Sequence, residues 1–148
     1  MIKIFEEYVE DFTKKIKSLE KIKDLSIKIS NLYNDIFVDL DYIISLRNAS
    51  TYFINFIDNS TESIFICELS LSESMVNRNN YSVNITLKWN RFVSIDNSEM
   101  CKPFYDFLTT IISPDGFNNV KIEDIDSLIS KLDIEEYKLF TDVEKYNL

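Results

Sequence analysis

Carboxylates are the most abundant side chains in this sequence that could do chemistry, and two groups of them stand close together. Asp39 and Asp41 alternate along a strand-like pattern, and Glu123, Asp124 and Asp126 cluster where a helical pattern begins. Oxygen donors of this kind suit a hard cation. Each group also has a simpler explanation. Acids at a helix N-terminus complement its macrodipole, and alternating aspartates mark the solvent face of a strand. No metal site and no cofactor is therefore expected. The absent residue types narrow the chemistry further. With no histidine there is no Ser-His-Asp or Cys-His machinery, no imidazole base and no His-containing zinc site. Gly116 is the only glycine, which removes the phosphate-binding loop, the dinucleotide fingerprint and the nucleophile elbow. Cys67 and Cys101 fit two buried, reduced thiols.

Pro114-Asp115 followed by Glu136-Tyr137-Lys138 is similar in its loose spacing to the motif of restriction-type nucleases. That resemblance implies Asp and Glu holding a divalent metal while Lys positions the attacking water. It also implies that both halves lie on adjacent core strands. Here the first half falls in a Pro-Asp-Gly turn and the second on a helical pattern. A metal-dependent nuclease is thus the trailing alternative, and the chain is expected to be non-catalytic.

The elements that would position these residues can be read from periodicity. From Ile4 to about Lys23 apolar residues recur at three- and four-residue steps, through Phe5, Tyr8, Val9, Phe12, Ile16 and Leu19, so an amphipathic helix is expected. Its acids precede its lysines, and Glu10/Lys14 and Asp11/Lys15 are spaced as favourable pairs. Leu25, Ile27 and Ile29 alternate briefly. Ile36 to Leu46 then reads as a strand on its parity and β-branched content, with a second helix starting at Ser30 as the rival. Three further strands are expected at Thr51–Ile57, Ser63–Leu71 and Tyr81–Ile95, joined as an antiparallel meander. The remainder reads as helices. One is marked by Met100, Phe104, Phe107 and Ile111, with Pro103 in its first turn, and it stops at Ser113-Pro114-Asp115-Gly116. Another runs through Ile122, Ile125 and Leu132, and a last one is opened by Asp133 with Glu136 in the manner of a capping box. The expected fold is α+β: an N-terminal amphipathic helix, a meander of about four strands, and C-terminal helices packed on one face of the sheet, all in one domain of 148 residues.

Charge points to the kind of partner. The net charge is −9, and the first 28 residues hold seven lysines against six acids, so the excess lies in the sheet and the C-terminal helices. Nucleic acid and anionic membranes are repelled by such a chain, whereas a basic protein complements it. Phe37, Asp39, Asp41 and Ile43 of one strand and Ile64, Ile66 and Glu68 of another are expected on one sheet face that mixes apolar groups with carboxylates, as protein-binding patches do. Phe37, Asp39, Asp41, Ile43 and Glu68, with Glu123 and Asp126, are the candidate partner-binding residues. In size, charge and layout, though in no residue motif, the chain resembles the acidic immunity proteins that neutralise bacterial toxins. That resemblance implies a cytoplasmic monomer bound to a basic toxin domain such as a nuclease. The alternative resemblance is to acidic secretion chaperones, which bind an effector segment and normally dimerise.

Overall fold

In a computed structural model the chain builds one helical layer against one five-stranded sheet. The structure describes residues 2–48, 50–58, 62–73, 80–90, 95–112 and 119–146, with side chains left aside at 2–8, 11, 95–98, 119 and 144–146. The element order is α1 (Ile2–Ile36), β1 (Asp41–Arg47), β2 (Thr51–Ile57), β3 (Ser63–Glu73), β4 (Tyr81–Trp89), α2 (Ile95–Ile112), β5 (Asn119–Lys121), a 3₁₀ turn (Ile122–Asp124), α3 (Ile125–Lys131) and α4 (Ile134–Tyr146). The sheet is a meander in chain order, each strand antiparallel to its neighbour. The fold is α+β, with five strands where about four were expected.

Cross-strand register sets which residues face the helices. Ile44, Ile54, Cys67 and Leu87 make one row, Tyr42, Phe56, Phe65 and Trp89 the next, and Leu46, Tyr52, Leu69 and Ile85 a third. Most of these side chains join Ile22, Leu25, Ile29 and Tyr33 of α1, Phe104 and Leu108 of α2, and Ile125 and Leu132 in one apolar cluster. Phe56 and Phe65 stack at 4.3 Å between ring centroids, with Tyr33 edge-on to Phe56 at 4.6 Å. The helix–sheet seam is closed by small residues. Ser26 and Ser30 are fully buried, and their hydroxyls donate back to the carbonyls of Lys23 and Ser26, so neither is left unpaired.

Besides β3, which runs two residues further to Glu73, four features differ from the periodicity. First, α1 continues through Leu25–Ile29 to Ile36, and the strand opens only at Asp41. The rival helix was the better guide over residues 30–36, although Ser30 caps nothing and lies inside one long helix. Second, β4 ends at Trp89, and Ile95 opens α2 instead of closing the strand. Third, that earlier start places Pro103 in the interior of α2. Its ring removes one donor to the carbonyl of Glu99, in a turn where Glu99 and Met100 are exposed. Fourth, Asn119–Lys121 adds a short strand ahead of the helix expected from Ile122, which splits into the 3₁₀ turn and α3. The expected turn at Ser113–Gly116 lies outside the described residues.

One turn carries the left-handed backbone that this glycine-poor chain cannot delegate to glycine. Asn48, between β1 and β2, has φ 47°, and its Oδ1 accepts from the backbone N–H of Ser50 at 3.3 Å. Asparagine tolerates that conformation because its side chain mimics a backbone turn.

Candidate interaction surface

The face of the sheet turned away from the helices is open. Its rows are Ile43–Asn55–Ile66–Lys88, then Ser45–Phe53–Glu68–Thr86, then Arg47–Thr51–Ser70–Asn84. Ile43 is 54% exposed, Phe53 and Ile66 are half-buried, and Ser45, Thr86 and Lys88 are exposed. Among the described residues no helix covers this face, because the helices pack on the other side.

Several polar groups here bond along the face. The Ser63 hydroxyl donates to Asn55 Oδ1 at 2.6 Å, and Thr51 Oγ1 lies 3.2 Å from Ser70 Oγ. The Arg47 guanidinium lies over the Phe53 ring, 4.0 Å from its centroid. A cation held over an aromatic face at an exposed site contributes about 0.5–1 kcal/mol. The charges are mixed: Asp41 and Glu68 stand with Arg47, Lys88 and, in register with Ser82, Lys121 of β5. The patch ends at β1, an edge strand, so one rim of it is a ladder of backbone donors and acceptors that no described strand fills.

The seven candidate residues do not form one site. Asp41, Ile43 and Glu68 lie on the open face, and Asp39 is exposed in the turn just before it. Phe37 is in the core, 5.2 Å from the Tyr33 ring centroid, and offers a partner nothing. Ile64, of the same predicted face, is also fully buried. A register shift beside Phe56 and Ile57 breaks the simple alternation there. Glu123 and Asp126 belong to the helical layer. Asp126 Oδ2 meets Lys21 Nζ at 3.4 Å, an exposed pair of small energetic weight. Glu123 lines a cleft of about 280 Å³ with Lys14, Lys17, Lys21, Asn80 and Tyr81. Arg47, Phe53 and Lys88 were missed, and their signal was available. Arg47 shares the parity of Asp39 and Asp41, and Phe53 sits opposite Ser45 once the Asn48 turn fixes the register.

Groups that could act as nucleophiles lie elsewhere and are masked. Cys67 and Cys101 are free and fully buried, as expected. Burial pushes the Cys67 thiol up to about 12, helped by Glu68 beside it, and the Cys101 thiol up to about 11. Both are protonated at neutral pH and therefore poor nucleophiles. Burial first, and then Cys101, Asp58 and Asp41, also raise the Tyr33 phenol, whose hydroxyl donates to the Ile57 carbonyl at 3.1 Å. No group of three or more potential metal ligands gathers among the described residues. Of the nuclease-like spacing, Glu136 and Lys138 are exposed on α4, a surface helix and not a core strand, and Pro114-Asp115 lies outside the described residues. No helix among the described residues is long and apolar enough to cross a membrane.

Set against known proteins, the chain matches no family profile, no curated protein and no solved structure.

Proposed function

We propose that this protein is a non-catalytic binding domain whose open sheet face takes a protein partner, and that the partner is a basic toxin domain which the complex neutralises. The observation carrying this reading is the one-sided packing. Among the described residues every helix that joins the main core lies on one face, and the other presents Ile43, Phe53 and Ile66 among Asp41, Arg47, Glu68 and Lys88. Apolar area ringed by charge is how a recognition patch combines affinity with orientation. The net charge of −9 favours approach of a basic partner at long range.

A second reading, a chaperone for an extended effector segment, is favoured by the unfilled edge of β1. An incoming strand can add there through main-chain hydrogen bonds.

The test uses the gene beside this one. If it encodes a basic toxin domain, co-expression with the wild-type chain should restore growth. Ile43→Glu with Ile66→Glu should abolish protection while leaving the circular dichroism spectrum unchanged. Full protection by that variant would remove the open face as the interface. Binding only to an unfolded segment would transfer the reading to the chaperone.

A further inference from the structure

The two edges of the sheet end it differently. β5 has three residues, whereas β1 has seven and pairs with β2 residue for residue without a bulge. Its sequence, Asp41-Tyr42-Ile43-Ile44-Ser45-Leu46-Arg47, holds no proline, glycine or lysine, and Ile43 at 54% and Leu46 at 57% stand exposed on opposite faces. A regular, apolar edge without such guards is a template for another strand.

The ladder shows which backbone groups of β1 are on offer. In an antiparallel sheet a residue bonds to the strand on one side only, and the side alternates along the chain. The backbone N–H of Leu71 in β3 donates to the Ser50 carbonyl just ahead of β2, at 2.9 Å. The even-numbered residues of β2 therefore turn to β3 and the odd-numbered ones to β1, where their partners are Asp41, Ile43, Ser45 and Arg47. The N–H and C=O groups of Tyr42, Ile44 and Leu46 are left pointing outward. One of these donors is met from within the chain: the Tyr42 N–H donates to Asp41 Oδ1 at 2.8 Å.

We infer that β1 pairs antiparallel with β1 of a second copy of this chain, about a two-fold axis through Ile44. A two-fold interface must be self-complementary. In this register Ile44 meets Ile44 and Tyr42 meets Leu46, so the outward main-chain groups of both copies bond to one another. At the closer positions between them, Asp41 of each copy faces Arg47 of the other, and Ile43 faces Ser45. Ile43–Ser45 is the one pair unlike in character, and its small hydroxyl leaves room for the isoleucine. The Tyr42 N–H passes to the Leu46 carbonyl of the second copy, which frees the Asp41 carboxylate for the guanidinium. A parallel pair would set Asp41 on Asp41 and Arg47 on Arg47. An extended segment of another protein could use the same main-chain groups, but opposite charges at the two ends of β1, with large apolar residues between, complement β1 itself. The inference goes beyond the sheet-face reading. Residues opposite each other across a ladder share a face, so the open faces of the two copies lie on one side and join. An effector segment would then have to compete with the second copy for the edge. A dimer departs from the monomer expected from the sequence, in which the opening of β1 at Asp41, and so its centre at Ile44, was not legible.

The experiment measures mass and register separately. Light scattering on the full chain at tens of micromolar should give a dimer. Leu46→Pro removes an outward N–H and spares the β1–β2 ladder, so it should weaken association at least about tenfold with an unchanged circular dichroism spectrum. Charge variants keep the test decisive should that chain not fold: Asp41→Arg alone and Arg47→Asp alone should each weaken the dimer, and both together in one chain should restore it. Ile66→Glu, on the open face but two strands in from the edge, should leave the dimer intact, which separates failure here from failure of the sheet-face reading. For register, an Ile43→Cys chain mixed with a Ser45→Cys chain under mild oxidation should crosslink faster than either alone, the native thiols being buried. A monomer throughout, a dimer that survives Leu46→Pro and both single charge reversals, a double reversal no better than the single ones, or faster crosslinking in either cysteine variant alone would each overturn the inference.

Discussion

At the residue scale, the chain spends its reactive groups on packing. Cys67 sits in β3 facing α1, and Cys101 lies well inside α2 beside Tyr33, not near a helix start as its sequence position suggested. The burial of both thiols was legible, since a lone cysteine pair inside apolar patterns is most often core. The burial of Phe37 was not, because it follows the end of α1 and its parity in a supposed strand meant nothing there. The two thiols make an alkaline prediction. Their ordinary value is 9.0, and the folded protein holds them at about 12 and about 11. A group whose folded value is raised contributes stability that is whole below its unfolded value and is lost as pH climbs toward the folded one. Urea midpoints should therefore be unaffected by these thiols up to pH 9 and fall from there toward pH 11 and 12. A variant with Cys67→Ala and Cys101→Ala should fall less steeply. Equal slopes would mean that the thiols ionise in place.

At the element scale, what could be read depended on how many residues an element had and what ended it. The strand Thr51–Ile57 was legible to the residue, because alternation is bounded on both sides by turn-forming side chains. The junction of α1 and β1 was not. Ile36, Leu40 and Ile44 satisfy periods of two and of four together, and no glycine or proline marks the break. The three residues of β5 were too short to show any period. The last helix was legible through its cap, and the structure realises half of the expected box: Asp133 Oδ1 accepts from the backbone N–H of Glu136 at 2.8 Å. Asp133→Ala should then lower stability by about 1 kcal/mol, and Asp133→Asn by much less. Urea unfolding of the two variants measures the difference. A similar loss in both would assign the effect to charge and not to the cap.

At the scale of the whole molecule, the acidity and the open face are different things. The sequence argument placed carboxylates and apolar groups on one surface. In the structure that face mixes Asp41 and Glu68 with Arg47, Lys88 and Lys121, whereas Glu123, Asp124, Asp126, Glu135, Glu136 and Asp142 lie on the helical layer, where the sequence also put a share of the acidity, with Asp39 at the margin of the sheet. Steering and affinity therefore separate into two sets of residues. A basic partner responds at a distance to the field of the whole protein, which salt screens within about 10 Å at ordinary ionic strength. Once docked, it is held by the apolar area and paired charges of the open face. Added salt should thus slow association with the partner strongly and change dissociation little. Asp39→Lys with Asp41→Lys should act mainly on the on-rate, and Ile43→Ser with Ile66→Ser mainly on the off-rate. Surface plasmon resonance at two or more salt concentrations reads both rates from the same complex. If Glu123→Lys with Asp126→Lys raises the off-rate while the Ile43 and Ile66 changes do not, the contact lies on the helical layer. If salt leaves the on-rate unchanged, the charge of −9 steers nothing.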